Sequence, residues 1–186
     1  MVIFLRKETK FGFKMYKALL SFIILIGGCS MTPEKYSNQE PKMDFKEYFN
    51  GPVQAWGIVQ DWKGDVLQRF DIDMEGVWNG NEGELRETFH FYDGKTMKRK
   101  WYVTKVNDTY YEGKADDVLN TATGHIYGNA IRFNYQMELP MNGKKYKVAL
   151  DDWMFRMNDG VLINRNYIKK FGFKVAEFTI FMKKKN

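Results

Sequence analysis

The chain has 186 residues, 29 Lys and Arg against 23 Asp and Glu, 17% aromatic residues and a single cysteine. One cysteine excludes an internal disulfide, and two histidines leave little for a metal centre. Five of the Lys and Arg and one Glu precede residue 29, so four of the six net positive charges lie there; the remainder carries only +2, too little for nucleic-acid binding through charge.

The N-terminal part reads MYKALLSFIILIGGCSM. Lys14 and Lys17 precede an apolar run over residues 18–26, then Gly27 and Gly28 meet Cys29. A membrane-spanning helix needs roughly 20 apolar residues, and this run is about half as long. Basic start, short apolar run and small residues are the parts of a secretory signal peptide. With the cysteine directly after them, the stretch resembles the bacterial lipoprotein signal. That resemblance implies a signal peptide over residues 1–28, cleavage before Cys29, lipidation of its thiol and acylation of the new amine. Several acyl chains hold a protein firmly where one does not. Ser30, in place of Asp, implies sorting to the outer membrane, facing the periplasm. Met15 is an alternative start that makes a more compact signal.

Residues 29–43 then read as the lipidated cysteine and a polar tether with Pro33 and Pro41. Residues 44–186 are the folded domain. It opens with DFKEYFNG, one helical turn or a plug closed by Gly51-Pro52. AWGIVQDWKG predicts an early hairpin. RFDIDMEG alternates Phe70, Ile72 and Met74 with acids. ELRETFHF sets Leu85, Phe89 and Phe91 opposite Arg86, Thr88 and His90. AIRFNYQMEL alternates without a miss from Ile131 to Leu139, and KVAEFTIFM closes the chain in the same manner. Turn signals fall between these runs at Lys63-Gly64-Asp65, Asp93-Gly94-Lys95, Asn107-Asp108, Asn142-Gly143 and Asp159-Gly160. No helical period is sustained. The expectation is an all-β, antiparallel, up-and-down, lipocalin-like β-barrel of roughly eight to ten strands, since closure removes exposed edges. A two-sheet β-sandwich is the alternative.

The chain lacks GxSxG, HExxH, paired-cysteine and glycine-rich phosphate motifs, so no catalytic residue, metal or cofactor is assigned. Three stretches are richer in polar groups than a barrel wall needs. They supply Trp56; Asp116 and Asp117; and Asp152, Trp153, Asn164 and Arg165, joined by Arg86 and Arg132. Acids pointing into a lumen must be paired, so Asp116, Asp117, Asp151 and Asp152 should find Arg86, Arg132 or Arg165. These residues form a candidate polar cluster orienting a ligand in a cavity; a structural salt-bridge network is the other reading. Neighbouring strand residues point to opposite faces, so Asp151 and Asp152 cannot share a site as acid and base without a bulge.

YFNGPVQAWGIVQDWKG, the ADDV…ATG…GNA segment and DDWMFRMNDGVLINR…KFGFKVAEFTIF resemble the uncharacterised proteobacterial lipoprotein family called domain of unknown function 3833. The resemblance spans the chain beyond Cys29. It implies no activity or catalytic residues, and its members' company with fatty-acid-modifying genes points to lipids. The expected function is therefore an envelope lipoprotein, held to the membrane through Cys29, that binds a fatty acid or other apolar ligand. Alternatives are a structural or assembly lipoprotein that binds an envelope partner, and an enzyme acting on a lipid.

Overall fold

Strict alternation gives each strand one apolar face, and a sheet with one apolar face must cover it. The computed structural model describes residues 31–141 and 144–185, and there the sheet covers itself by closing. Ten strands follow in order: β1 (Gly51–Asp61), β2 (Val66–Asn79), β3 (Glu82–Phe91), β4 (Thr96–Lys105), β5 (Tyr110–Ala115), β6 (Ala122–Tyr127), β7 (Ala130–Met141), β8 (Lys144–Arg156), β9 (Val161–Lys170) and β10 (Phe173–Lys184). Each pairs antiparallel with its neighbour in sequence, and β10 pairs with β1 from Val53↔Lys184 to Asp61↔Ala176. The expected closed up-and-down barrel is what forms, and the sandwich is excluded. The expected signal peptide, Cys29 and the Asn142-Gly143 turn lie outside the described residues.

The apolar phase of every strand faces inward. Val53, Ala55, Phe70, Ile72, Leu85 and Ile131 are nearly or fully buried. Turn chemistry follows the backbone: Asp159 and Gly160 both take positive φ, 57° and 69°, the geometry a tight hairpin requires. Phe171-Gly172 does the same between β9 and β10 with φ of 52° and 84°.

One end of the barrel is stoppered. Asp44 caps a single helical turn, α1 (Phe45–Tyr48), its Oδ1 accepting from the Glu47 amide at 2.9 Å. Phe45 drops inward onto Tyr111 and Phe133, with ring centroids at 5.4 and 5.3 Å. The Tyr48 hydroxyl donates to the Gly160 carbonyl at 3.1 Å, and Trp78 Nε1 donates to the Phe49 carbonyl at 3.1 Å. DFKEYFNG is thus both the helical turn and the plug.

From Pro33 onward, the segment expected as a tether packs against the barrel. Pro33–Tyr36 is a 3-10 turn. Tyr36 lays its ring on Trp153 and Phe155 at 5.5 and 5.2 Å. The Met43 amide donates to the Gly128 carbonyl at 2.8 Å, and Arg156 Nη1 donates to the Lys42 carbonyl at 3.1 Å. Gly128 is obligatory here: its φ is 55°, and a Cβ would overlap the Tyr36 carbonyl.

A Cβ on Gly76 of β2 would overlap the Phe49 carbonyl, which is backbone and cannot swing away. Gly76→Ala is expected to lift the plug, costing about 1–3 kcal/mol or more, the range for overpacking. Urea denaturation reads this directly; an unchanged midpoint would show that Phe49 does not depend on this close approach.

Candidate functional site in the barrel lumen

Barrels of about eight strands are filled by their own side chains or hold one small ligand, and the interior widens with strand number. Ten strands here leave a cavity of about 470 Å³, within the roughly 300–1,000 Å³ of small-molecule sites. It runs from Phe45 and Phe49 at the plug to Phe91, Met97 and Leu139 near the opposite end. Met97 lines the cavity yet is 44% exposed, which marks that end as the mouth.

The cavity has two unlike walls. β10, β2 and the end of β3 give an apolar one, in which Phe70 packs on Phe89, Phe91 and Phe178 at 5.6, 5.9 and 6.4 Å. β3, β4, β7, β8 and β9 give a polar band. Glu87 of β3 and Arg99 of β4 are direct cross-strand partners. Arg99 Nε donates to Asp117 Oδ1 at 3.1 Å, its Nη2 lies 3.0 Å from the same oxygen, and its guanidinium lies 4.5 Å over the Trp101 ring. Asp117 arrives because the β5–β6 connection is stitched to β7 through a Val118↔Met137 bridge and a Leu119 amide bond to the Gln136 carbonyl.

Across the lumen, the Tyr135 hydroxyl donates to Asp152 Oδ2 at 3.2 Å, and Asn166 Nδ2 donates to the Tyr135 oxygen at 3.1 Å. Asn164 Nδ2 donates to Asp152 Oδ1 and, at 2.9 Å, to the Trp153 carbonyl. Glu87 Oε2, Asn166 Oδ1 and, despite its ion pair, Arg99 Nη2 are buried without a hydrogen-bond partner.

Burial governs the titration of this band. It pushes Glu87 up to about 7, against the pull of Arg99 and with a further push from Asp117 and Asp152. It pushes Asp152 up to about 6, although the hydrogen bonds from Asn164 and Tyr135 oppose it. Tyr135 is held well above its ordinary range for the same reason, burial first and the Asp152 charge next.

Of the residues singled out in the sequence, Asp117, Asp152 and Asn164 line the cavity. The others face outward. Trp56 stands on the outer wall, its ring 5.8 Å from Phe181. Arg86 pairs with Glu84 at 2.6 Å on the exposed surface, and Arg165 with Glu177 at 2.6 Å. Asp116 is exposed. Trp153 is fully buried, but on the outside of the barrel, between Tyr36, Tyr127 and Phe155. Arg132 serves Asp151 there: Asp151 Oδ1 accepts from Arg132 Nε at 2.7 Å and Trp153 Nε1 at 3.1 Å, and Lys169 Nζ donates to Oδ2 at 2.6 Å. Burial pushes the Asp151 carboxyl up, but the bonds from Arg132 and Lys169 outweigh it and hold it below the usual range. Asp151 and Asp152 therefore lie on opposite faces of β8, as strand geometry requires.

Glu87, Arg99, Tyr135 and Asn166 are the lumen residues that the sequence reading passed over. Three of them carry a visible mark, an interruption of the apolar phase of the strand, whereas Tyr135 belongs to the apolar row of AIRFNYQMEL. Glu87 falls between Leu85 and Phe89, Arg99 between Met97 and Trp101, and Asn166 between Asn164 and Ile168.

A carboxyl raised from 4.5 to about 7 binds its proton more tightly folded than unfolded. Its stabilising contribution is complete below pH 4.5 and is lost as pH rises through 7. Glu87→Gln removes that loss. The stability of Glu87→Gln relative to the parent is expected to improve by about 3 kcal/mol between pH 4.5 and pH 8. Paired urea titrations at the two pH values measure it; a pH-independent difference would mean that Glu87 titrates normally.

Among curated proteins none matches the chain. The family described as "Protein of unknown function (DUF3833)" matches residues 23–184, a span that takes in all ten strands of the barrel, and the chain belongs to that family.

Proposed function

We propose that the protein is a binding module that holds one apolar chain, of a fatty acid or another lipid-like ligand, lengthwise in the barrel. The observation that carries this reading is the 470 Å³ cavity with one aromatic wall and a mouth opposite the plug. Each methylene moved from water into such a wall contributes about 0.8 kcal/mol, so a single alkyl chain supplies ample affinity. A cavity closed at one end by α1 suits a ligand with a tail and a head better than a passage does. The lipidated Cys29 expected from LIGGCS fits this reading: an anchor at the periplasmic face of the outer membrane keeps the module where apolar chains are delivered or removed.

The rim of the barrel supports a second reading, a lipoprotein that docks on an envelope partner. Trp62, Val66 and Leu67 of the β1–β2 hairpin and Phe171 and Phe173 of the β9–β10 hairpin are exposed, Phe171 to 89%. The two hairpins are neighbours, because Asp61 pairs with Ala176. An apolar cluster of this kind on a surface marks an interaction site.

The readings separate experimentally. Met97→Trp narrows the mouth at a position exposed enough to tolerate it, and is expected to weaken calorimetric binding of lauryl alcohol at least about ten-fold, or about 1.4 kcal/mol. Binding unchanged by Met97→Trp would remove the lumen from consideration. Phe171→Ser with Phe173→Ser is expected to leave lauryl alcohol binding intact while abolishing chemical crosslinks to envelope proteins in cells. Crosslinks that persist would dispose of the docking rim.

A further inference from the structure

We propose that the lumen selects an amphiphile whose head donates hydrogen bonds, an amine or an alcohol, over one that ends in a carboxylate. This rests on the reading of the lumen as a chain-binding site, and it narrows the ligand class.

The charges that face the cavity are unbalanced. Among the described residues that line it, Glu87, Asp117, Glu138 and Asp152 are acids and Arg99 is the one cation, with Glu138 paired to Lys145 at 3.3 Å. Arg99 is ion-paired with Asp117, although its buried Nη2 completes no hydrogen bond. Two of its nitrogens lie within 3.1 Å of Asp117 Oδ1 and its guanidinium rests on Trp101. A carboxylate entering the lumen finds no cation free of an ion pair and two neighbouring acids, Glu87 and Asp152, in a setting where water screens little.

What the cavity offers in excess is acceptors. Glu87 is only 9% exposed, and its Oε2 has no partner. Asn166 is 5% exposed, and its Oδ1 has none either. The orientation of that amide is fixed by its neighbours. Tyr135 gives its one proton to Asp152, so the Tyr135 oxygen must accept, and Asn166 turns its N–H toward it. The amide oxygen is left for the cavity. Two buried acceptors without donors are a standing cost, and a head with N–H or O–H groups relieves it. A carboxylate brings only more acceptors. A metal ion is not the natural donor, because among the described residues no group of three or more His, Cys, Asp or Glu is gathered to hold one.

The test is isothermal titration of the full chain carrying Cys29→Ser, which prevents lipidation, with lauryl amine, lauryl alcohol and laurate at neutral pH. The three share one tail and differ only in the head. A hydrogen bond to a charged group separates ligands by roughly 10- to 100-fold. Amine and alcohol are expected to bind at least about ten-fold more tightly than laurate. Glu87→Gln is expected to lower the amine's advantage over laurate by about ten-fold, and Asn166→Ala is expected to lower it as well. Laurate binding as tightly as the amine would overturn the head-group inference and leave the chain-binding lumen standing. A preference for the amine that survives both substitutions would also overturn it, by placing the head elsewhere. Failure of all three to bind would overturn both the inference and the reading on which it rests.

Discussion

Everything in this molecule depends on the pairing of β10 with β1. Nine consecutive residue pairs, from Val53↔Lys184 to Asp61↔Ala176, turn an open meander into a cylinder. Without them the first and last strands would each present a row of unpaired backbone groups, and the inward faces would have nothing to enclose. Closure also fixes the size of the interior. A ten-strand cylinder is wider than one of eight strands, whose interior side chains just fill it, so space is a consequence of topology here, not of a packing fault.

A space of that kind carries a cost, and the protein manages its two ends differently. At one end α1 fills the bore with Phe45 and Phe49, and Gly76 is bare so that the Phe49 carbonyl can lie against β2. At the other, the mouth keeps apolar side chains in water. Between them, the polar band sits where a well-packed core would place leucines. Buried acids are tolerated only through neighbours: Asp117 through Arg99, and Asp152 through Tyr135 and Asn164. Glu87 is the member whose satisfaction is incomplete. On the proposed reading, what Glu87 lacks within the fold is supplied by what enters the cavity.

The architecture was legible because alternation is a local signal. AIRFNYQMEL and RFDIDMEG declare their faces residue by residue, and closure follows from having many such strands joined by tight turns. The lumen was only half legible. Asp117, Asp152 and Asn164 drew notice because their stretches are rich in polar residues, but the same criterion gathered Arg86, Arg132 and Arg165, whose partners lie on the outer surface. The better criterion is phase, not density. Glu87 and Arg99 each occupy an inward position in an otherwise apolar row, a defect that period-two counting exposes. What no count along one strand reveals is which defects meet. Glu87 faces Arg99 through strand register, and Asp117 reaches Arg99 only because a loop is stitched to β7. The density of DDWM likewise has a cause that lies far away in sequence: Trp153 and Asp151 form the seat on which Tyr36 rests.

That seat has a mechanical consequence. Residues 33–43 run along the outer wall and continue directly into α1, so the strap and the stopper are one piece of chain. A pull at Pro33 does not reach the stopper first. It loads the stacking of Tyr36 on Trp153, then the grip of Arg156 on Lys42 and the Met43–Gly128 hydrogen bond, holds that belong to β8 and the β6–β7 turn. Tension from the N-terminal direction is thus met first by β8 and the β6–β7 turn, and α1 stays unloaded until those holds have given way.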